Sequence, residues 1–597
     1  MTSFLARVAD IAYRRRGRMV LAWIAAAVVI IGVGSALAGE YQADYDTPGS
    51  ESEAASDITK ERFSGYSGQE IYVVWKDEAG ARSPDATRRL NGFFAEAEKV
   101  DHVARHAPIR VSEEGKIGST TLPLTVPGWE VPKEDGEKLI DAAEANDGNG
   151  LQIKLGGDPI YAAQSQSSPE GIGFLGAAIV LLIAFGSVVA AGLPLVIALI
   201  GLGISSGGLI VLLANVIDVP DWTTAVSGLI GIGVGIDYSL LVLTRFRAAM
   251  KEGKDRHDAV VEAVTTAGRS VIIAGLTVVI AVLGLCLTGL PYMYGVAISA
   301  SLAVLVVAIA AVTLLPALLS YLGPRVDRLR IPFLGRTLRA EGNGESPAAR
   351  WSHAVQRRPW TAAIAAAALL LALAAPALGM RLGFPDAGND PPDTMTRQAY
   401  DLNTEGFGPG TNGPLVIAAE MPDRGARADI ESFAKRLRSE PGVAFVPAPR
   451  INADGDAAIV TVIPKGSPQD QQTEDLVNHL RDDVVPEELG SAGITAEIGG
   501  VTAALEDQSE FMKDRLPLFT AGVVGLSFLL LLVAFHSPLI SLKAAIMNLL
   551  SVGAAYGVMT LVAKGGTVGK VIGIDHAVPI APFMPVMMFA ILFGLSM

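Results

Sequence analysis

Gly231-Ile232-Gly233-Val234-Gly235-Ile236-Asp237-Tyr238-Ser239 places one carboxylate inside an otherwise apolar segment, residues 223–244. About 20 apolar residues are enough for a helix to cross a bilayer. An acidic side chain in hydrocarbon costs about 2.5–3.5 kcal/mol on insertion scales, so Asp237 is a functional candidate by default. The alternative is a structural carboxylate that hydrogen-bonds to a neighbouring helix. Tyr238 could likewise bond across a helix interface, or it could pack as a plain aromatic ring.

Small residues surround this carboxylate at helical spacing. Ser227, Gly231 and Gly235 recur every fourth residue, and Gly233 lies one turn before Asp237 on the same helix face. A stripe of small residues lets two transmembrane helices approach closely. We therefore predict that Gly231, Gly233 and Gly235 serve helix packing near Asp237.

The composition is typical of a membrane protein. Half of the 597 residues are hydrophobic, only 18% are charged, and the mean hydropathy is +0.40. These values exclude a disordered chain, and the net charge of −14 disfavours a nucleic-acid partner. The single cysteine, Cys286, excludes intramolecular disulfides and cysteine-rich metal sites. Apolar spans are predicted near residues 19–38, 170–187, 190–214, 223–244, 270–290, 295–322, 359–379, 517–536, 538–562 and 578–597.

The charged residues divide the chain into acidic blocks and basic span ends. Residues 39–168 hold 24 Asp and Glu against 13 Lys and Arg, and residues 380–515 hold 24 against 12. Arginines cluster before span one, after span four and between spans six and seven, and such clusters mark cytoplasmic ends. We therefore predict a cytoplasmic N-terminus and two exoplasmic blocks. A cleaved secretory signal is the alternative for span one, because Ala36-Leu37-Ala38 fits a cleavage site.

The second half of the chain repeats the first. Arginines precede both span one and span seven, Ala184-Phe185 corresponds to Ala534-Phe535, and Gly156-Gly157 corresponds to Gly499-Gly500. Parallel repeats of this kind are found in transporters.

Each acidic block is predicted to be a β-α-β-β-α-β domain, the split ferredoxin-like motif. The first has strands at 70–75, 103–111, 117–125 and 151–155 and helices at 84–99 and 133–146. The second has strands at 414–420, 442–448, 457–464 and 494–498 and helices at 428–438 and 470–484.

The predicted fold class is an α-helical polytopic membrane protein with two exoplasmic α+β domains in a tandem pseudo-repeat. The predicted segments are a tail with span one (1–38), the first exoplasmic domain (39–168), spans two to six (169–322), a cytoplasmic linker (323–358), span seven (359–379), the second exoplasmic domain (380–515) and spans eight to ten (516–597).

This arrangement resembles the MMPL branch of the resistance–nodulation–division superfamily. The resemblance covers essentially the whole chain and rests on four stretches: Thr47-Pro48-Gly49-Ser50-Glu51-Ser52, Phe407-Gly408-Pro409-Gly410-Thr411-Asn412-Gly413-Pro414, the run ending in Asp237-Tyr238, and Phe589-Ala590-Ile591-Leu592-Phe593-Gly594-Leu595-Ser596-Met597. It implies proton-driven export of lipids or other hydrophobic molecules across the bacterial cytoplasmic membrane. It also implies a substrate passage between two exoplasmic porter domains and the helix bundle.

The resemblance further implies a proton relay. In that family an Asp-Tyr pair in span four and a second pair in span ten carry the protons, and Asp237 and Tyr238 match the first pair. Aligning the two spans sets Gly233 opposite Gly594 and Ile236 opposite Met597. The second aspartate is therefore expected one position beyond Met597, followed by two further spans, and this chain alone is not expected to transport.

The predicted function is proton-driven export, with protons, membrane lipids and a lipid or other hydrophobic substrate as partners. No catalytic residue, cofactor or metal is predicted, and a homo-oligomer or envelope-assembly proteins are compatible with the sequence. The alternative is a non-transporting lipid-sensing or sterol-sensing receptor, or a scaffold for envelope assembly, since fold alone does not fix function. A hydrolytic enzyme ranks third, because the sequence contains no visible catalytic triad or metal cluster.

Overall fold

The computed structural model describes residues 2–596 except 40, 42, 44, 64–68, 165–168, 330–346, 423–425, 572 and 575. The helices of the first half are α1 (Thr2–Arg14), α2 (Arg16–Ala36), α3 (Glu51–Arg62), α4 (Pro84–Ala97), α5 (Lys133–Asn146), α6 (Asp158–Gln164), α7 (Pro169–Phe185), α8 (Val188–Ile204), α9 (Ile210–Leu213), α10 (Thr223–Lys251), α11 (Arg256–Leu283) and α12 (Pro291–Leu322). Those of the second half are α13 (Pro347–Arg357), α14 (Pro359–Ala374), α15 (Met395–Phe407), α16 (Arg427–Leu437), α17 (Gln471–His479), α18 (Val485–Leu489), α19 (Val501–Phe535), α20 (Pro538–Ala563), α21 (Gly566–Lys570) and α22 (Phe583–Leu595).

Each predicted span corresponds to a helix. Eight helical stretches in the described residues are long and apolar enough to cross a membrane. Spans two and ten are shorter, because α7 has 17 residues and α22 has 13. Helix α22 begins at Phe583 rather than near 578, since the residues before it run extended beside the segment that follows span seven. There the Ile580 amide donates to the Arg381 carbonyl at 2.9 Å.

Helix α2 is packed into the bundle. Trp23 Nε1 donates to Thr313 Oγ1 of α12 at 3.1 Å. A Cβ atom at Gly34 would lie 2.6 Å from the Cα of Gly208, in the π-helical turn Ser205–Leu209 that joins α8 to α9. Such close contacts are typical of helices that pack within a membrane, and they favour a span over a cleaved signal at this position.

The first acidic block folds as the predicted ferredoxin-like sheet. Its strands are β1 (Glu70–Asp77), β2 (Arg110–Val111), β3 (Ile117–Pro123) and β4 (Leu151–Gly156), in the antiparallel order β2-β3-β1-β4. Trp75 is fully buried in its core and donates through Nε1 to the Ala81 carbonyl at 2.9 Å. Most of the strand predicted at 103–111 is irregular, and Pro108, which has no N–H to donate, interrupts it.

The second block repeats this topology. Its strands are β5 (Leu415–Glu420), β6 (Val443–Phe445), β7 (Arg450–Ile451), β8 (Ala457–Pro464) and β9 (Thr495–Gly499), in the order β6-β8-β5-β9, with β7 also paired to β8. The helix predicted at 470–484 is α17 followed by a π-helical turn, Leu480–Val484. The fold class of helical membrane bundle with two α+β domains is thereby confirmed.

Each sheet is covered by a helix from the opposite half of the chain. Helix α3, which follows span one, packs on β9 and β5, and α15, which follows span seven, packs on β4 and β1. Neither helix is among the predicted elements. A signal for α3 was nevertheless present, because the Ser50 side chain accepts a hydrogen bond from the Glu53 amide, an N-cap that Ser-x-x-Glu spacing indicates.

Gly499→Val should loosen α3 from the second sheet. A Cβ atom at Gly499 would lie 2.8 Å from the Cβ of Ala55 in α3, so valine overpacks this contact at about 1–3 kcal/mol. We expect a lower thermal midpoint and faster amide hydrogen exchange in α3. Gly156→Val is the matched control in the first sheet, where the added Cβ would lie 3.7 Å from that of Ala399. Equal effects at both glycines would contradict the argument.

The bundle has a domain side, which carries the two sheets, and an opposite side. On the opposite side α1 packs on α11 and α12 through the buried residues Leu5, Ala9 and Ala12. Arg16 then donates to the Ser320 carbonyl at 2.9 Å. Of the predicted linker, residues 330–346, including Arg330, Arg336 and Arg339, lie outside the described residues.

Candidate functional site

Helix α10 carries the candidate residues and packs against α8, α11 and α12. Its small residues do not play one common role. A Cβ atom at Gly235 would lie 2.8 Å from Val307 Cγ1 of α12 and 3.2 Å from the Cα of Ala198 in α8. At Gly231 the nearest neighbour is Ala303 Cβ at 3.6 Å, an ordinary contact. Gly233 has no neighbouring heavy atom within 4 Å, so it faces an open side of the helix.

Asp237 lies on the same face as Gly233, and its side chain is exposed. No hydrogen bond or ion pair to Asp237 is found within the described residues. This face of α10 is directed towards α22. Val226 and Ile230 line a very small apolar cavity together with residues of α11, α12 and α22. Asp237 lies two turns beyond Ile230 along this face.

Tyr238 points in a different direction from Asp237. It is 1% exposed, and among the described residues its hydroxyl has no hydrogen-bond partner. The ring ends beside Gly275 of α11, where a Cβ atom would lie 3.8 Å from the hydroxyl oxygen. Consecutive helical residues are rotated by about 100°, so the Tyr238 hydroxyl points away from the Asp237 carboxylate and does not bond to it. Asp237 and Tyr238 are neighbours in the chain, but helix geometry directs their side chains to different sides of α10.

The second half of the bundle holds a polar contact that the sequence analysis missed. Ser596 Oγ donates to Asn548 Oδ1 of α20 at 2.7 Å, and Asn548 is 5% exposed. By the alignment that sets Gly233 opposite Gly594, Ser596 corresponds to Gly235. At this position the first half of the bundle packs small residues of α10 and α8 against each other, whereas the second half joins its two helices by a hydrogen bond. The side-chain amide of Asn548, in the middle of a predicted span, could have indicated this contact, because polar side chains hydrogen-bond between membrane helices.

A buried charged network connects α19 to α3 and to the second domain. Arg481 donates to the two carboxylate oxygens of Asp507 at 2.5 and 2.9 Å, and both side chains are less than one-tenth exposed. The Ser52 amide at the start of α3 donates to Asp507 Oδ2 at 3.1 Å. Glu51 Oε2 lies 3.3 Å from Arg481 Nε. Burial raises the pKa of Glu51, and the nearby Arg481 charge only partly opposes that shift. Helix α19 therefore links span eight to α3 and to the second domain.

A small, partly open cavity lies where α19 leaves the second domain. Its lining combines Arg381 and Phe384, which follow span seven, with Asp386, Glu474 and Glu506. Burial raises the pKa of Asp386, although the Tyr400 hydroxyl donates a hydrogen bond to its carboxylate at 2.7 Å. The cavity is bounded by domain residues on one side and by the domain-side ends of spans on the other.

One group in the described part of the chain has the spacing of metal ligands: Asp255, His257 and Asp258, on the opposite side of the bundle. These side chains already have structural partners. Asp255 caps α11 by accepting a hydrogen bond from the Asp258 amide at 2.7 Å, and His257 Nε2 lies 3.0 Å from Asp10 Oδ1 of α1. The hydrogen bond with His257, supported by Arg14, holds the pKa of Asp10 below its usual value. The group therefore fastens α1 to α11.

The model of the MMPL family matches residues 44–362 and 425–597. The chain belongs to the MMPL family. The predicted family is thus confirmed, and with it a multi-pass membrane protein. The chain is 32% identical to the membrane protein YdfJ of Bacillus subtilis, over 98% of this chain and 80% of that protein.

Two further relatives of this MMPL protein come from Mycolicibacterium smegmatis. The mycolic acid-containing lipids exporter MmpL11 is 34% identical over 70% of this chain and 44% of its own length. The trehalose monomycolate exporter MmpL3 is 27% identical over 75% of this chain and 48% of its own length. The chain thus spans less than half the length of these two exporters. Among solved structures, a heavy metal efflux pump superposes with a TM-score of 0.48 at 11% identity, covering 98% of this chain and 95% of that one.

Proposed function

We propose that this MMPL protein exports a lipid or another hydrophobic molecule across the bacterial cytoplasmic membrane and is driven by proton entry. The domain side is then exoplasmic and the N-terminus cytoplasmic. The observation that carries the proposal is Asp237, the one acidic residue well inside a span, on the face of α10 directed towards α22. The exporter names of MmpL11 and MmpL3 support the transport of lipids.

In this mechanism Asp237 accepts and releases the proton. Its carboxyl group lies in an apolar segment, where the neutral form is favoured and ionisation needs a partner or water. Tyr238 belongs to the relay through its buried hydroxyl, which can bond to a water or to a group that approaches along α11. A change in the charge of Asp237 would alter the environment of the face of α10 that is directed towards α22. Helix α19 would transmit movement between span eight and the second domain through the Arg481–Asp507 pair.

The substrate passage in this proposal includes the cavity beneath the second domain. Its position between domain residues and span ends suits a molecule that leaves the membrane and enters the space between the domains. The basic residues at the ends of the spans, such as Arg14, Arg15 and Arg247, support the cytoplasmic assignment of the opposite side.

Asp237→Asn in the full-length protein should abolish export. Asparagine keeps the shape of the side chain but cannot exchange a proton at this site, so we expect at least about a tenfold loss. The measurement is mass spectrometry of surface lipids in a strain lacking the gene, complemented with each variant. Asp218→Asn is the control, because Asp218 is exposed in the loop just before α10. Export at the wild-type level by Asp237→Asn would contradict proton coupling through this residue.

A further inference from the structure

Four aromatic residues form a cap at the domain-side end of the bundle, here called the aromatic cap: Tyr45, Trp222, Tyr292 and Phe583. Trp222 Nε1 donates to the Tyr45 hydroxyl at 3.2 Å, and the Trp222 ring stacks on Phe583 with centroids 5.6 Å apart. The Tyr45 and Tyr292 rings lie 5.1 Å apart. Gln508 of α19 donates to the Tyr292 hydroxyl at 3.0 Å. The cap therefore joins residues from both halves of the chain.

Directly beneath the cap, three buried hydroxyl groups have no hydrogen-bond partner within the described residues. Thr223 and Ser227 are on α10, Ser299 is on α12, and all three are fully buried. Some hydroxyls of the same bundle bond to their own helix, as Ser205 does to the Gly201 carbonyl at 2.8 Å. Others, such as Ser239 and Ser301, also have no partner within the described residues, but Thr223, Ser227 and Ser299 lie together at one level. An unpaired buried hydroxyl costs about 1–3 kcal/mol, so three at one place require an explanation.

The helix register brings Ser227 and Ser299 to the same level. Gly231 faces Ala303 and Gly235 faces Val307, so α10 and α12 run side by side in the same direction. One turn nearer the domain side, the same register sets Ser227 opposite Ser299, with Thr223 one turn above Ser227 on the same face. Two turns further along, α10 and α12 pack tightly, because even a Cβ atom at Gly235 would lie 2.8 Å from Val307 Cγ1.

We propose that water binds between Ser227 and Ser299, enters from the domain side, and is gated by the aromatic cap. A buried water needs two to four polar partners, and the three hydroxyls supply them. The water site gives protons an entrance into the bundle. This role rests on the proposed function, proton-driven export. Asp237 lies ten residues further along α10, about 15 Å from Ser227.

Ser227→Cys and Ser299→Cys test this site through the reactivity of a thiol. Both are placed in full-length protein carrying Cys286→Ala, which removes the only native thiol of this chain. The probe is aminoethyl methanethiosulfonate, a small cation, added to the domain side. The matched control is Ala300→Cys, adjacent to Ser299 but lining the apolar cavity, which stays dry because it offers water no partners. We expect both serine positions to react at least about tenfold faster than position 300.

Trp222→Ala should open the cap and increase the labelling rate at position 299 by at least about fivefold, because the indole is bonded to Tyr45 and stacked on Phe583. Equal labelling at positions 299 and 300, or no labelling at 299 even with the cap opened, would overturn the water site. Labelling does not depend on export, so the two proposals can be tested separately. Serine positions that do not react while Asp237→Asn abolishes export would contradict the water site alone. Reactive serine positions with normal export by Asp237→Asn would contradict the proposed function alone.

A second measurement does not depend on labelling. If the hydroxyls are dry and unpaired, Ser227→Ala together with Ser299→Ala removes their desolvation cost and raises the thermal midpoint. If water binds them, the double variant loses hydrogen bonds, and the midpoint stays the same or falls. A clear rise in the midpoint would therefore overturn the proposal as well.

Discussion

Asp507→Ala should destabilise the protein by about 3–5 kcal/mol, the cost of leaving a buried charge without its partner. The variant removes both carboxylate oxygens that Arg481 contacts, and it deprives the Ser52 amide of its acceptor. Arg481 would then be nearly buried and would keep the Ile498 carbonyl at 3.2 Å and the Glu51 carboxylate, 3.3 Å from Nε, as its remaining partners. We expect a large fall in the thermal midpoint of the purified protein and faster hydrogen exchange at the start of α3.

The double variant Arg481→Met with Asp507→Leu distinguishes charge burial from general disruption. Replacing both members of a buried ion pair with apolar residues is often neutral or stabilising, whereas removing one member is not. The double variant should therefore recover most of the stability lost in Asp507→Ala. If it is as unstable as the single variant, the loss comes from the shape of the site rather than from the unpaired arginine.

Gly235→Val should be the most damaging single substitution among the three glycines near Asp237. Even the Cβ atom would lie 2.8 Å from Val307 Cγ1 and 3.2 Å from the Ala198 backbone, so α10 must move away from both neighbours. Valine adds two further methyl groups, which places the cost at the upper end of overpacking, about 3 kcal/mol. The expected result is a lower thermal midpoint and a reduced yield of folded protein.

Gly233→Val is the matched control for this prediction. Gly233 lies in the same helix as Gly235 and is also replaced by valine, so the helix propensity of valine cancels when the two variants are compared. No heavy atom lies within 4 Å of a Cβ at Gly233, and the midpoint should stay close to that of the unmodified protein. Similar losses at 233 and 235 would show that valine harms α10 for reasons unrelated to packing on α8 and α12.

Much of the architecture follows from pattern alone. Long apolar runs require helices in a membrane because backbone groups must be paired within the span. In the domains, alternation along residues 70–77 and amphipathic spacing in α4 and α5 were sufficient to predict the order of elements. The helices α3 and α15 escaped prediction because they are polar, and what makes them necessary is a sheet surface in the other half of the chain.

The candidate site, like the fold, could be predicted only in part from the sequence. Asp237 could be selected from sequence because a carboxylate in an apolar span stands out chemically. Its direction towards α22, and the turning of Tyr238 towards α11, depend on how α10 is rotated among its neighbours. The unpaired hydroxyls below the aromatic cap could not be predicted from the sequence either. A serine in a helix usually bonds to its own backbone, and the structure is needed to show which serine hydroxyls do not.

From the sequence one could predict the apolar spans, the tandem repeat with two α+β domains, and the one acidic residue inside a span. These properties depend on composition and periodicity, which are local. The tertiary structure was needed to show which glycine packs most tightly, which helix covers which sheet, and which polar groups have no partner within the described residues. Those properties depend on contacts between residues far apart in the chain, and a pattern within one segment does not specify what packs against it.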